Sequence, residues 1–218
     1  RYKNAPNQLT EKGLTAPHRE QMEALVGTLF EEYVRGVADG RGIAPEKVRS
    51  LIDEGPFEAK DAKEAGLVDE LLYRDQVEDR IPAAVRVDPA RYVKGGRGFF
   101  DVRPKLALVY AAGDIIPGES QSSPFGGAFA GADTIARGLR QAREDGAVRA
   151  IVLRVDSPGG SGTASDAVWR EVALARRTKP VVVSMGDYAA SGGYYIAMGA
   201  DAIVAQPGTI TGSIGVFS

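Results

Sequence analysis

Apolar positions follow one kind of pattern in the first third of this 218-residue chain and another in its second half. From Arg19 to Arg41, Met22, Leu25, Val26, Leu29, Tyr33 and Val37 recur at helical spacing and draw one apolar stripe, which predicts a long amphipathic helix. Pro45 suits the first turn of a second helix carrying Val48, Leu51 and Ile52, because a first-turn residue leaves its N–H unused. Glu58 to Ala65 reads as a shorter helix closed by Gly66. No strand pattern precedes about residue 80. Half-apolar helical faces need a surface to cover, so residues 1–80 read as the tail of a domain whose sheet lies before Arg1.

Residues 81–104 mix Pro82, Pro89, Gly95, Gly96, Gly98 and Pro104 with scattered charge and read as a linker. Beyond it, apolar runs alternate with helical stretches. Strands are expected at Leu106 to Ala112, Val148 to Val155, Val181 to Met185 and Ala202 to Ala205. Helices are expected at Asp133 to Asp145, Thr163 to Arg177 and Ser191 to Gly199, the second opening on a capping box over Thr163 to Asp166. Gly113 to Gly131 reads as one long glycine-rich loop. Strands separated by helices in this way predict an α/β fold with a mainly parallel sheet and right-handed crossovers. The start at Arg1 and the close inside the run Thr209 to Ser218 read as the ends of an internal fragment.

Composition narrows the chemistry. With 27 Lys+Arg against 29 Asp+Glu there is no basic surplus to attract a phosphate backbone, so nucleic acid is not an expected partner. No cysteine is present, which excludes disulfides, thiolate metal sites and a cysteine nucleophile. His18 is the single histidine, and no carboxylate cluster has a recognised ligand spacing, so no metal is expected.

In a parallel sheet, ligands collect at the carboxyl ends of the strands. Two expected strands end there in glycine-rich turns, Asp156-Ser157-Pro158-Gly159-Gly160 and Gly186 to Gly193, and both should line one cleft. Glycines at 159, 160, 192 and 193 would let a substrate carbonyl approach backbone N–H groups, which is what an oxyanion hole requires. Ser191, set among small residues at a strand-to-helix turn, is a candidate nucleophile for acyl transfer, although a helix-capping serine has the same appearance. Ser157 competes for the role, but a Ser-Pro step is more often part of a turn. A nucleophilic serine needs a base. His18 lies at the entry to the long helix, and the alternative is a lysine kept neutral by burial, for which Lys3, Lys12, Lys47, Lys60, Lys63, Lys94, Lys105 and Lys179 all qualify on sequence alone.

Four motifs together, Ala150 to Ser161, Lys179 to Gly186, Ala189-Ala-Ser-Gly-Gly-Tyr-Tyr195 and Thr211-Gly-Ser-Ile-Gly215, resemble the signal peptide peptidase A (protease IV) family. Arg1-Tyr-Lys-Asn-Ala5 and Ala62 to Glu70 resemble the end of the first repeat in that family's long form. The resemblance implies Clp-protease/crotonase-like repeats (a ββα-type superhelix), with residues 1–80 the C-terminal helical part of the first repeat and 105–218 the N-terminal part of the second. It implies a Ser/Lys dyad of Ser191 and Lys3, with oxyanion donors at Gly192 and at Gly159 or Gly160, and no organic cofactor. By the same resemblance, the substrates are signal peptides left in the membrane after precursor processing, and other apolar unfolded peptides. It further implies a homo-oligomer at the bacterial cell membrane, with its catalytic part outside the cytoplasm and membrane association through segments absent here. Two rivals keep the fold and change the function: a crotonase-type acyl-CoA enzyme, which needs no nucleophilic Ser191, and a non-catalytic assembly module whose glycine turns are packing devices.

Overall fold

The computed structural model describes residues 2, 4, 6–81, 104–123 and 127–215, in two units, Arg1–Phe99 and Phe100–Ser218. The expected linker falls almost wholly on residues 82–103, outside the described residues.

The regular elements among the first unit's described residues are all helices: α1 Asn7–Thr10, α2 Ala16–Arg41, α3 Pro45–Glu54, α4 Ala59–Glu64 and α5 Arg74–Arg80. Its buried centre is narrower than the sequence stripe predicts. Val34 and Ala38 of α2 pack with Val48 of α3, Val37 and Ile43 join them, and Leu51 is also buried, while Met22, Leu25, Val26 and Tyr33 stay exposed. The periodicity of α2 therefore marks an apolar face without saying what covers it. Charged side chains fix the turns: the Arg49 guanidinium donates to both carboxylate oxygens of Glu31 (3.0 and 2.7 Å). Arg41 reaches forward to the Gly66 carbonyl (2.9 Å) and both oxygens of Asp69 (3.0 and 2.8 Å).

The second unit is α/β. Its strands are β1 Lys105–Ala112, β2 Asp114–Ile116, β3 Gln121–Ser123, β4 Gly127–Gly131, β5 Val148–Ser157, β6 Val181–Ala190, β7 Ala202–Val204 and β8 Ile210–Gly212. Between them run α6 Ala132–Glu144, α7 Gly162–Arg176 and α8 Gly192–Ala197. The main sheet is parallel in the order β1-β5-β6-β7, and β8 pairs with β6 beyond β7. Ile135, Leu139 and Ala142 of α6 and Val168, Val172 and Ala175 of α7 bury one face of it against Ile151, Leu153, Val155, Val181, Val183 and Met185. On the opposite face Leu106, Leu108 and Tyr110 of β1 are exposed.

Three expectations need correction. The stretch from Gly113 to Gly131 is not one loop: β2, β4 and β3 form a small three-stranded sheet there. These strands are three to five residues long and built of glycine, serine and alanine as much as of larger apolar residues, so they leave no alternation to read. The strand expected to end at Met185 continues to Ala190, because its last residues gain a partner in β8, which the sequence reading did not place. The capping box is also displaced. The N-cap of α7 is Ser161, whose Oγ accepts from the Ala164 N–H (3.3 Å), and Asp166 instead accepts from the Tyr195 hydroxyl (2.6 Å).

Candidate active site

β5 and β6 run side by side until β6 bulges. Between the pairs Val155–Met185 and Ser157–Ala189, β5 contributes only Asp156, whereas β6 contributes Gly186, Asp187 and Tyr188. A Cβ at Gly186 would lie 2.8 Å from the Asp156 carboxyl carbon, so the bulge closes over Asp156 only because residue 186 is glycine. The Asp156 carboxylate accepts from the Tyr188 N–H (3.1 Å), tying the bulged strand back to β5.

Two residues beyond the Ser157–Ala189 pair lies Ser191, with φ 51° and ψ −115°. This is a costly conformation for a residue with a Cβ, on the order of 1–3 kcal/mol. The turn is held at both ends: the Ser191 N–H donates to the Gly212 carbonyl on β8 (2.8 Å), and the Ser191 carbonyl accepts from the Tyr195 N–H (2.9 Å) as α8 begins. The Ser191 side chain makes no cap to α8. A strained, half-buried hydroxyl presented between a strand and a helix, and not engaged as a cap, has the setting of a nucleophile elbow.

The second glycine turn meets the first. A Cβ at Gly159 would fall 2.8 Å from both the Ser191 Cβ and the Gly192 nitrogen, and a Cβ at Gly192 would fall 3.3 Å from the Gly159 Cα and the Gly160 nitrogen. The structure thus brings Ser191, Gly192, Gly159 and Gly160 together. It also separates the two glycines that the sequence left equivalent. The Gly159 N–H donates to the Ser157 Oγ (3.1 Å). Gly160 instead forms a parallel bridge to Ile115 through its neighbours: the Ile115 N–H donates to the Gly159 carbonyl (2.7 Å) and the Ser161 N–H to the Ile115 carbonyl (2.8 Å). That pattern leaves the Gly160 N–H pointing away from β2, with no acceptor among the described residues. Gly192, first residue of α8, has no helical acceptor for its own N–H. Ser157 is fully buried, its hydroxyl occupied within the turn.

Lys3 lies outside the described residues, as does Lys94. Lys105 opens β1 and Lys179 precedes β6, both at the amino ends of their strands and opposite Ser191. The Lys179 ammonium is engaged with the Ala142 and Asp145 carbonyls (2.8 and 2.5 Å), where it closes the C-terminus of α6. His18 sits in the first turn of α2, with Nδ1 buried and without a hydrogen-bond partner. Among the described residues no three His, Cys, Asp or Glu side chains converge as metal ligands would. No described helix is long and apolar enough to cross a membrane.

The model of peptidase family S49 matches residues 1–88 and 173–218. The chain belongs to peptidase family S49. Its relatives include the chloroplastic serine protease SPPA of Arabidopsis thaliana, 37% identical over the whole chain, and protease 4 of Salmonella typhi, 37% identical over 99% of it. The chain spans about a third of their lengths, 34% and 37%. Among solved structures it is similar to a mutant membrane-bound stomatin-specific protease in complex with a substrate peptide, 28% identical over 49% of this chain and 45% of that one, with a TM-score of 0.36. The parallel-sheet α/β unit is the fold class expected from the sequence.

Proposed function

We propose that Ser191 and Lys3 form the Ser/Lys dyad of an endopeptidase that degrades signal peptides left in the membrane after precursor processing. The observation that carries this reading is the meeting of the strained Ser191 turn with the Gly159–Gly160 turn at the carboxyl ends of β5 and β6. In the reaction, neutral Lys3 takes the Ser191 proton as Oγ attacks the scissile carbonyl. The Gly160 and Gly192 N–H groups stabilise the oxyanion; the lysine returns the proton to the leaving amine, and water releases the acyl-enzyme. Gly159 shapes the hole without donating to it, since its N–H is spent on Ser157.

Lys3 rests on the family resemblance, and the positions of the described lysines are consistent with it. Lys105 and Lys179 lie at the end of the sheet opposite Ser191, Lys12, Lys47, Lys60 and Lys63 are exposed to solvent, and Lys94 lies outside the described residues. On the same reading, residues 1–80 close a first repeat and 105–218 open a second. The whole protein is then a homo-oligomer at the bacterial membrane with its active site outside the cytoplasm, acting on cleaved signal peptides and other apolar unfolded peptides.

The test is kinetic, on the full-length protein with an unstructured apolar peptide. Ser191→Ala and Lys3→Ala should each remove nearly all activity, His18→Ala should be nearly silent, and EDTA should have no effect. A damaging His18→Ala with a harmless Lys3→Ala would replace the dyad by a Ser/His pair.

A further inference from the structure

β8 is three residues long, half exposed, and bonded to the sheet through β6 alone, yet it supplies the Gly212 carbonyl that receives the Ser191 N–H. Such a strand has no buried row of side chains to set its register. Two threonine hydroxyls do so instead. The Thr209 Oγ1 donates to the Gly186 carbonyl (2.8 Å), at the start of the β6 bulge, and accepts from the Gln206 N–H (3.0 Å). Thr211 Oγ1 donates to the Ala189 carbonyl (2.7 Å), with the buried Met185 sulfur also within reach at 3.5 Å. Both hydroxyls thus grip backbone carbonyls on either side of Asp187 and Tyr188, the edge of the bulge opposite the one that Asp156 holds.

We propose that Thr209 and Thr211 are positioning residues for Ser191: their hydroxyls lock β8 in register against the bulged end of β6. The Gly212 carbonyl is thereby placed to hold the strained backbone of the nucleophile. This inference rests on the reading of Ser191 as the nucleophile. Neither threonine touches the reacting atoms. A slip of β8 would withdraw the Gly212 acceptor, let Ser191 relax, and turn its Oγ away from the oxyanion donors. Substrate contacts elsewhere would remain, so the loss should fall on kcat and spare KM.

Thr209→Val and Thr211→Val keep side-chain shape and remove only the hydroxyl; Thr209→Ser and Thr211→Ser keep the hydroxyl. In the full-length protein, peptide kinetics and the rate of covalent labelling by a fluorophosphonate probe are measured for all four. A misplacement of about 1 Å costs on the order of a hundredfold, so each valine variant should lose at least about tenfold in kcat and labelling rate, with KM within about twofold. The serine variants should return to within about threefold of wild type. Valine variants that label at the wild-type rate, or serine variants as damaged as the valine ones, overturn the inference. Hydrogen exchange of the wild-type Ser191 amide is a check that needs no variant. It should be as protected as the β6 interior, and rapid exchange would mean that β8 does not hold it. If the wild type is not labelled at Ser191 at all, the nucleophile assignment itself fails, which is a different result from equal labelling of wild type and variants.

Discussion

The clearest residue-scale contrast is between two adjacent glycines. Gly159 and Gly160 are interchangeable in sequence, but one N–H is consumed by the Ser157 hydroxyl and the other is left without an acceptor among the described residues. The meeting of Ser191 with the second glycine turn was legible, because a serine among alanines and glycines beside such a turn is an unusual combination. Which of the two N–H groups is left without an acceptor was not, since that follows from the Ile115 bridge, formed with β2, a strand the sequence did not reveal. Gly160→Ala should therefore fail on two counts: φ is 147°, and the new Cβ would lie 2.2 Å from the Ile115 carbonyl oxygen. We expect a loss of about 1–3 kcal/mol in stability and of at least about a hundredfold in activity. Gly162→Ala, two residues on with nothing within 4 Å of its Cβ position, should be nearly silent in both thermal melts and kinetics.

At the scale of elements, the long apolar runs and the helices α2, α3, α6 and α7 were readable because burial of one face imposes a period. Short strands β2, β3, β4 and β8 were not, because they are held by hydrogen bonds and close glycine contacts rather than by an alternating apolar row. The core that the readable elements build should respond accordingly. Leu153 is fully buried at the centre of β5, and Leu153→Ala should cost about 2–5 kcal/mol in chemical denaturation. A second element-scale prediction concerns Asp201, just before β7. Its carboxylate accepts from the Val181 N–H (2.9 Å) and from Arg176 Nε (2.8 Å), and these bonds, the backbone one foremost, hold its pKa below the ordinary aspartate range. The folded state thus binds that proton less readily than the unfolded chain does. The stabilisation is complete above the unfolded value of about 3.9 and fades as pH falls through the lower folded value. Asp201→Asn should melt below wild type near neutral pH, and the gap should close as acid protonates the wild-type carboxylate. A gap that widened in acid would contradict the assignment.

For the whole molecule, the sequence motifs pointed to the family, and family S49 is what the comparison found. What surrounds the exposed stripe of α2 and the uncovered face of β1 was not legible, because a period reports that a face is apolar and not which surface meets it. The proposed dyad makes a prediction at this scale that no single element contains. A lysine base must be neutral to act, so kcat/KM should rise with pH to a plateau in the full-length protein, and Lys3→Ala should abolish that ionisation along with the activity. A pH profile centred on an imidazole and lost in His18→Ala would argue for a different base.

The central claim is that Ser191, set at the elbow between β6 and α8, is the nucleophile. It is tested most directly by treating the full-length protein with a fluorophosphonate and locating the adduct by peptide mass mapping. The account predicts a single modified serine, Ser191, with labelling and peptidase activity lost together in Ser191→Ala and labelling lost in parallel in Lys3→Ala. An adduct on Ser157 or on any other serine, or peptidase activity within a few-fold of wild type in Ser191→Ala, would contradict it.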